Sequence, residues 1–437
     1  MTMEGVLAAA AVPAVFTLAG LLVAPAIRRT ELGLVHPALA WLALHGVFFG
    51  VGSVVLVVDG GVAPGVAWYV AGATVATATG VFVSDRLAAV RLVAAGGPGE
   101  PAPLRSAPPL GGASEPAPVR PAVVVGLLGI AFAILAPTLL AAGIPLLSDD
   151  PTAARTDLAG LVVQPIRVAL PATAVVALLA AVRRPSRRRV AAAAIGIAAS
   201  LVFTLLLASR FPAAELTATL VVAWMLAGHR VPGRAIVALA IVGSLAFAGI
   251  QLIRAPELAA GREVAFAIER TASRILLVQP RTLDALQHAI PAETPYFGGL
   301  TWLRRLGPAI GRPDVPNLGY WIYPRIFPDQ TDPAVAGYAA PGLIGEAWAN
   351  FGLAGLLLFL GLGVSLERLA ALLALRRTGS ADVVAGSLAI LFLARTHALG
   401  LNGVALLLAL TLGWRLVSAG GLADLGGDAR RVLTWRT

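Results

Sequence analysis

Apolar residues run along this chain in eleven long blocks of 17 to 23, separated by shorter stretches where proline, glycine and arginine collect. A bilayer-spanning helix needs about 20 such residues, so each block predicts one span. The expected spans are roughly Gly5–Ile27, Pro37–Val58, Pro64–Val83, Pro121–Ala142, Leu161–Val182, Val190–Leu207, Phe211–Ala227, Arg234–Ile253, Gly352–Leu373, Ala381–Ala398 and Leu401–Val417. The fold class that follows is all-α, a polytopic transmembrane helical bundle of about 11 spans.

The interval Arg254–Ala340 breaks this rhythm. From Glu257 to Leu277, Val264, Ile268, Ala272 and Ile275 recur at helical spacing, with Arg262, Glu269, Arg270 and Arg274 between them. That is the pattern of an amphipathic helix lying at a membrane–water interface. Pro280 is expected to end it, and Thr282 to cap a second short helix through Ile290. Beyond Pro291 the pattern predicts a proline-rich loop bearing Trp302, Tyr320, Trp321, Tyr323 and Arg325. The chain therefore divides into spans 1–3 (1–85), a Pro-, Gly- and Ala-rich flexible linker (86–120), spans 4–8 (121–253), the large loop (254–340), and spans 9–11 with a tail (341–437).

Composition excludes a soluble domain. The 437 residues are 58% hydrophobic and only 13% charged, against roughly 25% charged in soluble chains, and the mean hydropathy is +0.84. There is no cysteine, which removes disulfides and thiolate metal sites. The net charge of +10 comes with no lysine at all. Its arginines sit in loops and at span ends, where topology and anionic lipid head groups explain them better than nucleic acid does.

Arginine also sets the orientation. Loops after odd-numbered spans carry Arg28, Arg29, Arg183, Arg184 and Arg187–Arg189 among others, whereas the short loops after spans 4, 6 and 10 carry Arg155, Arg210 and Arg395. The positive-inside rule then puts the N-terminus outside and the C-terminus in the cytoplasm, in a multi-pass protein of the cytoplasmic membrane. Glu4, with no cation before the first apolar run, argues against a cleaved signal peptide. The linker 86–120 becomes cytoplasmic and the loop 254–340 external, since long loops cross regardless of charge.

The candidate chemistry gathers on the external side. It comprises Arg155, with Arg167 inside span 5; Arg210; Arg254, Arg270, Arg274 and Arg325 of the long loop; Glu346 and Asn350; and Arg395 with His397. Arginine offers a planar, permanently charged fork matched to phosphate oxygens, so such a set suits an anionic, membrane-tethered substrate. Trp302, Tyr320, Trp321 and Tyr323 offer rings for sugars. Glu346 or His397 can take a hydroxyl proton. Each has a plainer role as well: arginines anchor helix ends, and Glu346 with Asn350, four residues apart, can cap the start of span 9. His36, His45 and His229 read as structural or interfacial. Asp149-Asp150 reads as a solvated turn rather than a metal pair.

Four segments in order resemble the O-antigen polymerase and oligosaccharide repeat-unit polymerase family: GIPLLSDDPTAARTD (143–157), LLLASR (205–210), PRIFPDQTDP (324–333) and PGLIGEAWANFGLAG (341–355). The resemblance spans roughly Gly143 to Val417 and leaves out spans 1–3. It implies a bacterial membrane glycosyltransferase that moves a growing glycan from an undecaprenyl-pyrophosphate carrier onto another lipid-linked unit, outside the membrane, without nucleotide sugar, metal or other cofactor. It further implies membrane lipids and undecaprenyl-pyrophosphate-linked oligosaccharides as ligands, with a chain-length regulator and a flippase of the same pathway as partners. By position the family's motif arginines fall on Arg155, Arg210 and Arg325, and its helix-entry residues on Glu346 and Asn350. Arg210, Arg325, Glu346 and His397 are thereby the candidate catalytic residues. Arg155, Arg167, Arg254, Arg270, Arg274, Trp321, Tyr323, Asn350 and Arg395 are the candidate substrate-binding ones. The aromatic after Glu346 is Trp348 rather than the adjacent residue, a departure that weakens a detailed role for the carboxylate.

Three rivals remain open. An O-antigen-ligase-like enzyme would transfer finished glycan to another acceptor. A lipid-linked-sugar transporter or flippase would favour inverted repeats and midplane polar residues. A metal-dependent mannosyltransferase would want an acidic pair in the first external loop, where the chain offers only Asp59.

Overall fold

In the computed structural model, the residues described are 2–30, 32–96, 160–183, 185–206, 211–227, 263–304, 314–328, 338–375 and 386–390, with short pieces within 128–145 and 229–234. Every regular element among them is helical. Four helical stretches are long and apolar enough to cross a membrane: Met3–Thr30, Pro37–Val58, Pro64–Val90 and Gly342–Ala374. The protein is a membrane protein of helical class. The chain forms two units, one comprising Met1–Leu110, Gly261–Leu375 and Leu393–Ala405, the other Gly111–Ala260, Arg376–Phe392 and Leu406–Thr437.

In the first unit, α1 (Met3–Thr30) keeps Pro13 and Pro25 inside its run, and the Thr17 hydroxyl donates to the Pro13 carbonyl. Such prolines are tolerated where side chains and neighbours re-satisfy the backbone. A turn at 33–35 leads to α2 (Pro37–His45), which starts with Pro37 and is capped by His36, whose Nδ1 accepts from the Ala38 N–H at 3.2 Å. A π-turn, Gly46–Val51, joins α2 to α3 (Gly52–Val58) within one apolar run. The next helix, α4, runs Pro64–Gly96. It continues well past Val83, so residues 86–96 are helical where a linker was expected; 97–120 lie outside the described residues.

In the second unit, α5 (Gly160–Arg183), α6 (Arg187–Leu206) and α7 (Phe211–Leu226) follow the expected fifth to seventh runs closely. Leu170, Ala177, Ala181, Ala193 and Phe203 share a core with Leu128 and Leu139. The expected spans 8 and 11, most of span 10, and the loop 143–159 beyond Pro145 lie outside the described residues.

The described residues of the long loop are more helical than its pattern suggested. Helix α8 (Glu263–Ala272) passes through a π-turn, Ser273–Leu277, straight into α9 (Val278–Ala289). Pro280 does not end the helix: it occupies the first turn of α9, where a missing N–H costs little. Thr282 is not a cap either, because its hydroxyl donates back to the Val278 carbonyl at 2.8 Å. The expected loop contains α10 (Leu318–Ile326), capped by the Asn317 side chain accepting from the Gly319 N–H. Then α11 (Gly342–Phe351) ends at Gly352, whose φ of 57° and ψ of −132° suit glycine alone. A 3₁₀ turn, Gly352–Gly355, separates it from α12 (Leu356–Leu375). Glu346 and Asn350 therefore lie inside a helix of their own, ahead of this break, rather than at a cap of α12.

Helices α1, α4 and α12 pack with α2 around Trp41, Phe49, Val66, Val70 and Phe359. The α4–α12 crossing is closest at two glycines. A Cβ on Gly80 would lie 2.1 Å from the Leu360 carbonyl oxygen, and one on Gly363 2.1 Å from that of Thr77. Small residues at such a crossing let the two backbones touch. Helices α9, α10 and α11 close a second core over Leu286, Ile290, Leu318, Ile322 and Ala349.

Candidate functional site

The residues of the candidate site that the structure describes fall mainly in this second core. Glu346 and Asn350 sit one turn apart on α11, 8% and 1% exposed. The Glu346 carboxylate accepts from the Trp302 indole N–H at 2.9 Å. Asn350 ties down the adjoining loop: its Oδ1 accepts from the Gly299 N–H at 2.8 Å, and its Nδ2 donates to the Thr301 hydroxyl at 2.6 Å and to the Glu346 carbonyl at 2.8 Å. Backbone bonds from Phe297 to Ala349 and from Gly298 to Asn350 complete the seam. Buried polar groups must find partners, and here they find them in one another.

Tyr338 stands beside this seam. Its ring packs against Gly319 so closely that a Cβ there would lie 2.0 Å away, and it meets Tyr320 edge-on with centroids 5.2 Å apart. Part of the ring is open to solvent (42% of the residue), yet its phenol is pushed up to about 12, first by desolvation and then by the Glu346 carboxylate. It stays a hydroxyl donor at physiological pH.

Arg325, on α10, has a different setting. Its Nη2 pairs with Glu293 at 2.7 Å, its Nη1 donates to the Trp321 carbonyl at 3.1 Å, and its guanidinium lies 4.2 Å above the Trp321 ring. Trp321 meets Phe297 at right angles, and Tyr323 leans on Phe327 at 4.9 Å. Arg325 is thus held in the open by an acid, a carbonyl and a ring, and an anionic ligand there would compete with Glu293 for its charge. Arg274 is exposed in the π-turn after α8. Arg167 and Arg270 lie on α5 and on α8. Arg155, Arg210, Arg254, Arg395 and His397 lie outside the described residues.

A second polar cluster lies toward the other end of α4. Tyr69 donates to the Gly352 carbonyl at 3.1 Å, and Asp85 is sixteen residues further along the same helix, about 24 Å at 1.5 Å per residue. There Arg29 pairs with Asp85 and donates to its carbonyl at 2.9 Å and to Glu367 at 2.8 Å, while His36 Nε2 lies 3.4 Å from the other Glu367 oxygen. Glu367 is 2% exposed and His36 fully buried. Arg29 joins α1, α4 and α12, and His36 adds the α1–α2 turn. The rule that an ionisable group inside a span marks a special site could have singled out Glu367, inside the expected ninth span, but not Asp85, two residues past the expected end of the third; only Arg29 and His36 drew attention, as topology and packing.

Among the described residues, no cluster of three or more His, Asp and Glu could hold a metal ion. No protein-family model, no curated protein and no solved structure matches this chain.

Proposed function

We propose that this chain is an integral membrane glycosyltransferase that polymerises undecaprenyl-pyrophosphate-linked oligosaccharide repeat units into a surface or exopolysaccharide at the outer face of the cytoplasmic membrane. The observation that carries the reading is the packing of PGLIGEAWANFGLAG (341–355), one of the segments that resemble the repeat-unit polymerases. It forms a buried helix stapled through Glu346 and Asn350 to the 297–302 loop, over a core shared with the arginine- and aromatic-bearing α10. A membrane anchor needs none of this. A platform for a polar substrate beside a bilayer does.

In this reading the arginine-rich ends lie in the cytoplasm, and α8 to α11 face outward. An acceptor hydroxyl attacks the anomeric carbon of the donor glycan, the bond to the carrier breaks, and the lipid pyrophosphate leaves with the electron pair. Arg210 and Arg325 stabilise that leaving group, as preorganised cations do where charge develops, with Arg155, Arg167, Arg254, Arg270, Arg274 and Arg395 drawing in the carrier. Glu346 and Asn350 hold the platform in shape, His397 stands as the candidate base, and Trp321 and Tyr323 lie against the glycan.

Deleting the gene in its native host and resolving the surface glycan by size tests the proposal. The expected result is loss of the ladder of repeat lengths, leaving single lipid-linked units, restored by wild-type protein but not by Arg210→Ala. An unchanged ladder contradicts it. A normal ladder that fails to reach its final acceptor favours the ligase reading instead.

A further inference from the structure

Helix α11 has two working faces. Glu346 and Asn350 look toward the 297–302 loop, but Trp348, about 200° around the helix from Glu346, turns to the start of α4. It meets Tyr69 edge-on at 5.1 Å and Tyr296 at 6.4 Å, and its indole N–H donates to the Ile290 carbonyl at 3.2 Å. There a cavity of about 410 Å³ opens, lined chiefly by Gly65, Trp68, Tyr69, Gln287, His288 and Trp348. That volume lies within the roughly 300–1,000 Å³ typical of small-ligand sites.

Its chemistry is selective. Trp68 lies in the second turn of α4 and is 45% exposed, an indole with an open face. Trp348 already has its N–H satisfied and presents carbon surface. The rim is polar: Gln287 reaches the Gly65 carbonyl only at 3.5 Å, so its amide retains hydrogen-bonding capacity. His288 is 68% exposed on its side chain, and its Nδ1 lies 2.9 Å from the Asp284 carbonyl. A carbonyl only accepts, so Nδ1 carries the hydrogen and Nε2 of the neutral ring offers a lone pair. Asp284 stands one turn before His288 on α9; its Oδ1 accepts from the Ala63 N–H at 2.9 Å and its Oδ2 is 3.6 Å from His288. Among the described residues, no arginine lines it. A pyrophosphate is therefore disfavoured here, whereas an uncharged ring with apolar C–H faces and hydroxyls at its edge is matched. Leu353 and Leu356 continue the wall with hydrocarbon, suited to a ligand with an apolar chain.

We propose that this cavity is a carbohydrate subsite: it receives one uncharged sugar ring of a membrane-anchored glycan, stacked on Trp68 and Trp348, with Gln287 and His288 taking its hydroxyls. The assignment rests on the glycan-transfer reading for its biological ligand, but its physical content is independent of it. A Cβ on Gly65 would meet the Gln287 amide oxygen at 3.4 Å, an ordinary contact, so alanine fits there, whereas the branched side chain of leucine would extend beside Gln287 into the cavity that both residues line.

The test uses the full-length protein in lipid nanodiscs, photolabelled with alkyl glucoside, galactoside and rhamnoside probes carrying a diazirine beside the sugar. The expected result is labelling within 63–69, 287–288 or 348–356, displaced by the parent alkyl glycoside and not by an alkyl phosphate of equal chain length. Gly65→Leu and Trp68→Leu should each reduce it at least fivefold with unchanged thermal unfolding, and Gln287→Leu should reduce it while leaving the aromatic wall intact. Labelling elsewhere, equal displacement by alkyl phosphate, or indifference to all three substitutions overturns the subsite. If the label maps as expected but deletion of the gene leaves the glycan ladder intact, the subsite stands and the polymerase reading falls. Loss of the ladder without labelling removes the subsite alone.

Discussion

Trp302 Nε1 donates to Glu346 Oε2 across 2.9 Å, joining a loop and a helix 44 positions apart. Glu346 is 8% exposed, and Asn350, one turn on, ties the same loop by two further side-chain bonds. In the proposed reading this contact makes Glu346 a holder of the platform rather than a proton acceptor. Glu346→Gln keeps an acceptor for the indole and should leave glycan chain length within about threefold of wild type. Glu346→Ala leaves a polar group without its partner, at a cost of about 1–3 kcal/mol, and should lower both folded yield and product. Loss of all product in well-folded Glu346→Gln would assign the carboxylate to chemistry.

Asn350→Ala removes the contacts to Gly299 and Thr301 together. It should cost about 2–3 kcal/mol, given the penalty for buried groups left unsatisfied. Limited proteolysis of the purified protein should show faster cleavage within 297–304. Thr301→Val, which removes one partner, should cost about 1 kcal/mol. Equal protection in all three proteins would show that the seam does not hold the loop.

Much of this was legible beforehand and some was not, for a physical reason. Apolar runs announced α1, α4, α5, α6 and α7 because a span's length and hydropathy are local properties. The Arg29–Glu367 contact, 338 positions apart, depends on which spans pack together, and no local pattern carries that. The ninth run was expected to start at Gly352; that the residues before it form a helix of their own, α11, set off by the turn there, was hidden. The conformation of Gly352, where a Cβ would also meet the Tyr296 hydroxyl at 2.6 Å, is tertiary. Trp302 was read as a ring for sugars; that its N–H also goes to Glu346 was not legible, because the two lie 44 positions apart.

The charge cluster should behave as a unit. Glu367→Gln leaves Arg29 facing Asp85 alone and should cost about 3 kcal/mol, since breaking one partner of a buried pair is strongly destabilising. Replacing Arg29, Asp85 and Glu367 together by apolar residues should recover most of that loss. Thermal unfolding in one detergent, compared across the set, decides this. A triple variant no more stable than Glu367→Gln alone would contradict it.

The glycine crossing gives a sharp contrast. Gly80→Leu and Gly363→Leu force side chains into the opposing backbone and should abolish folded protein, whereas Gly20→Ala and Gly361→Ala, with nothing within 4 Å of the added carbon, should be neutral. Monodispersity by size-exclusion chromatography reads both. Well-folded Gly363→Leu would show that α4 and α12 do not meet as described.

Arg325 separates structure from function. Its pair with Glu293 is exposed, 36% and 57% on the two side chains, and such pairs contribute under about 1 kcal/mol. Glu293→Ala should therefore leave glycan synthesis intact, while Arg325→Ala should reduce it at least tenfold at equal expression. Equal effects of the two would reduce Arg325 to a surface tether.

The central claim is tested most directly by incubating the purified protein in nanodiscs with lipid-linked repeat units isolated from cells lacking it. The account predicts a ladder of longer lipid-linked glycans and release of undecaprenyl pyrophosphate, without nucleotide sugar. Unextended repeat units after incubation with well-folded protein would contradict it.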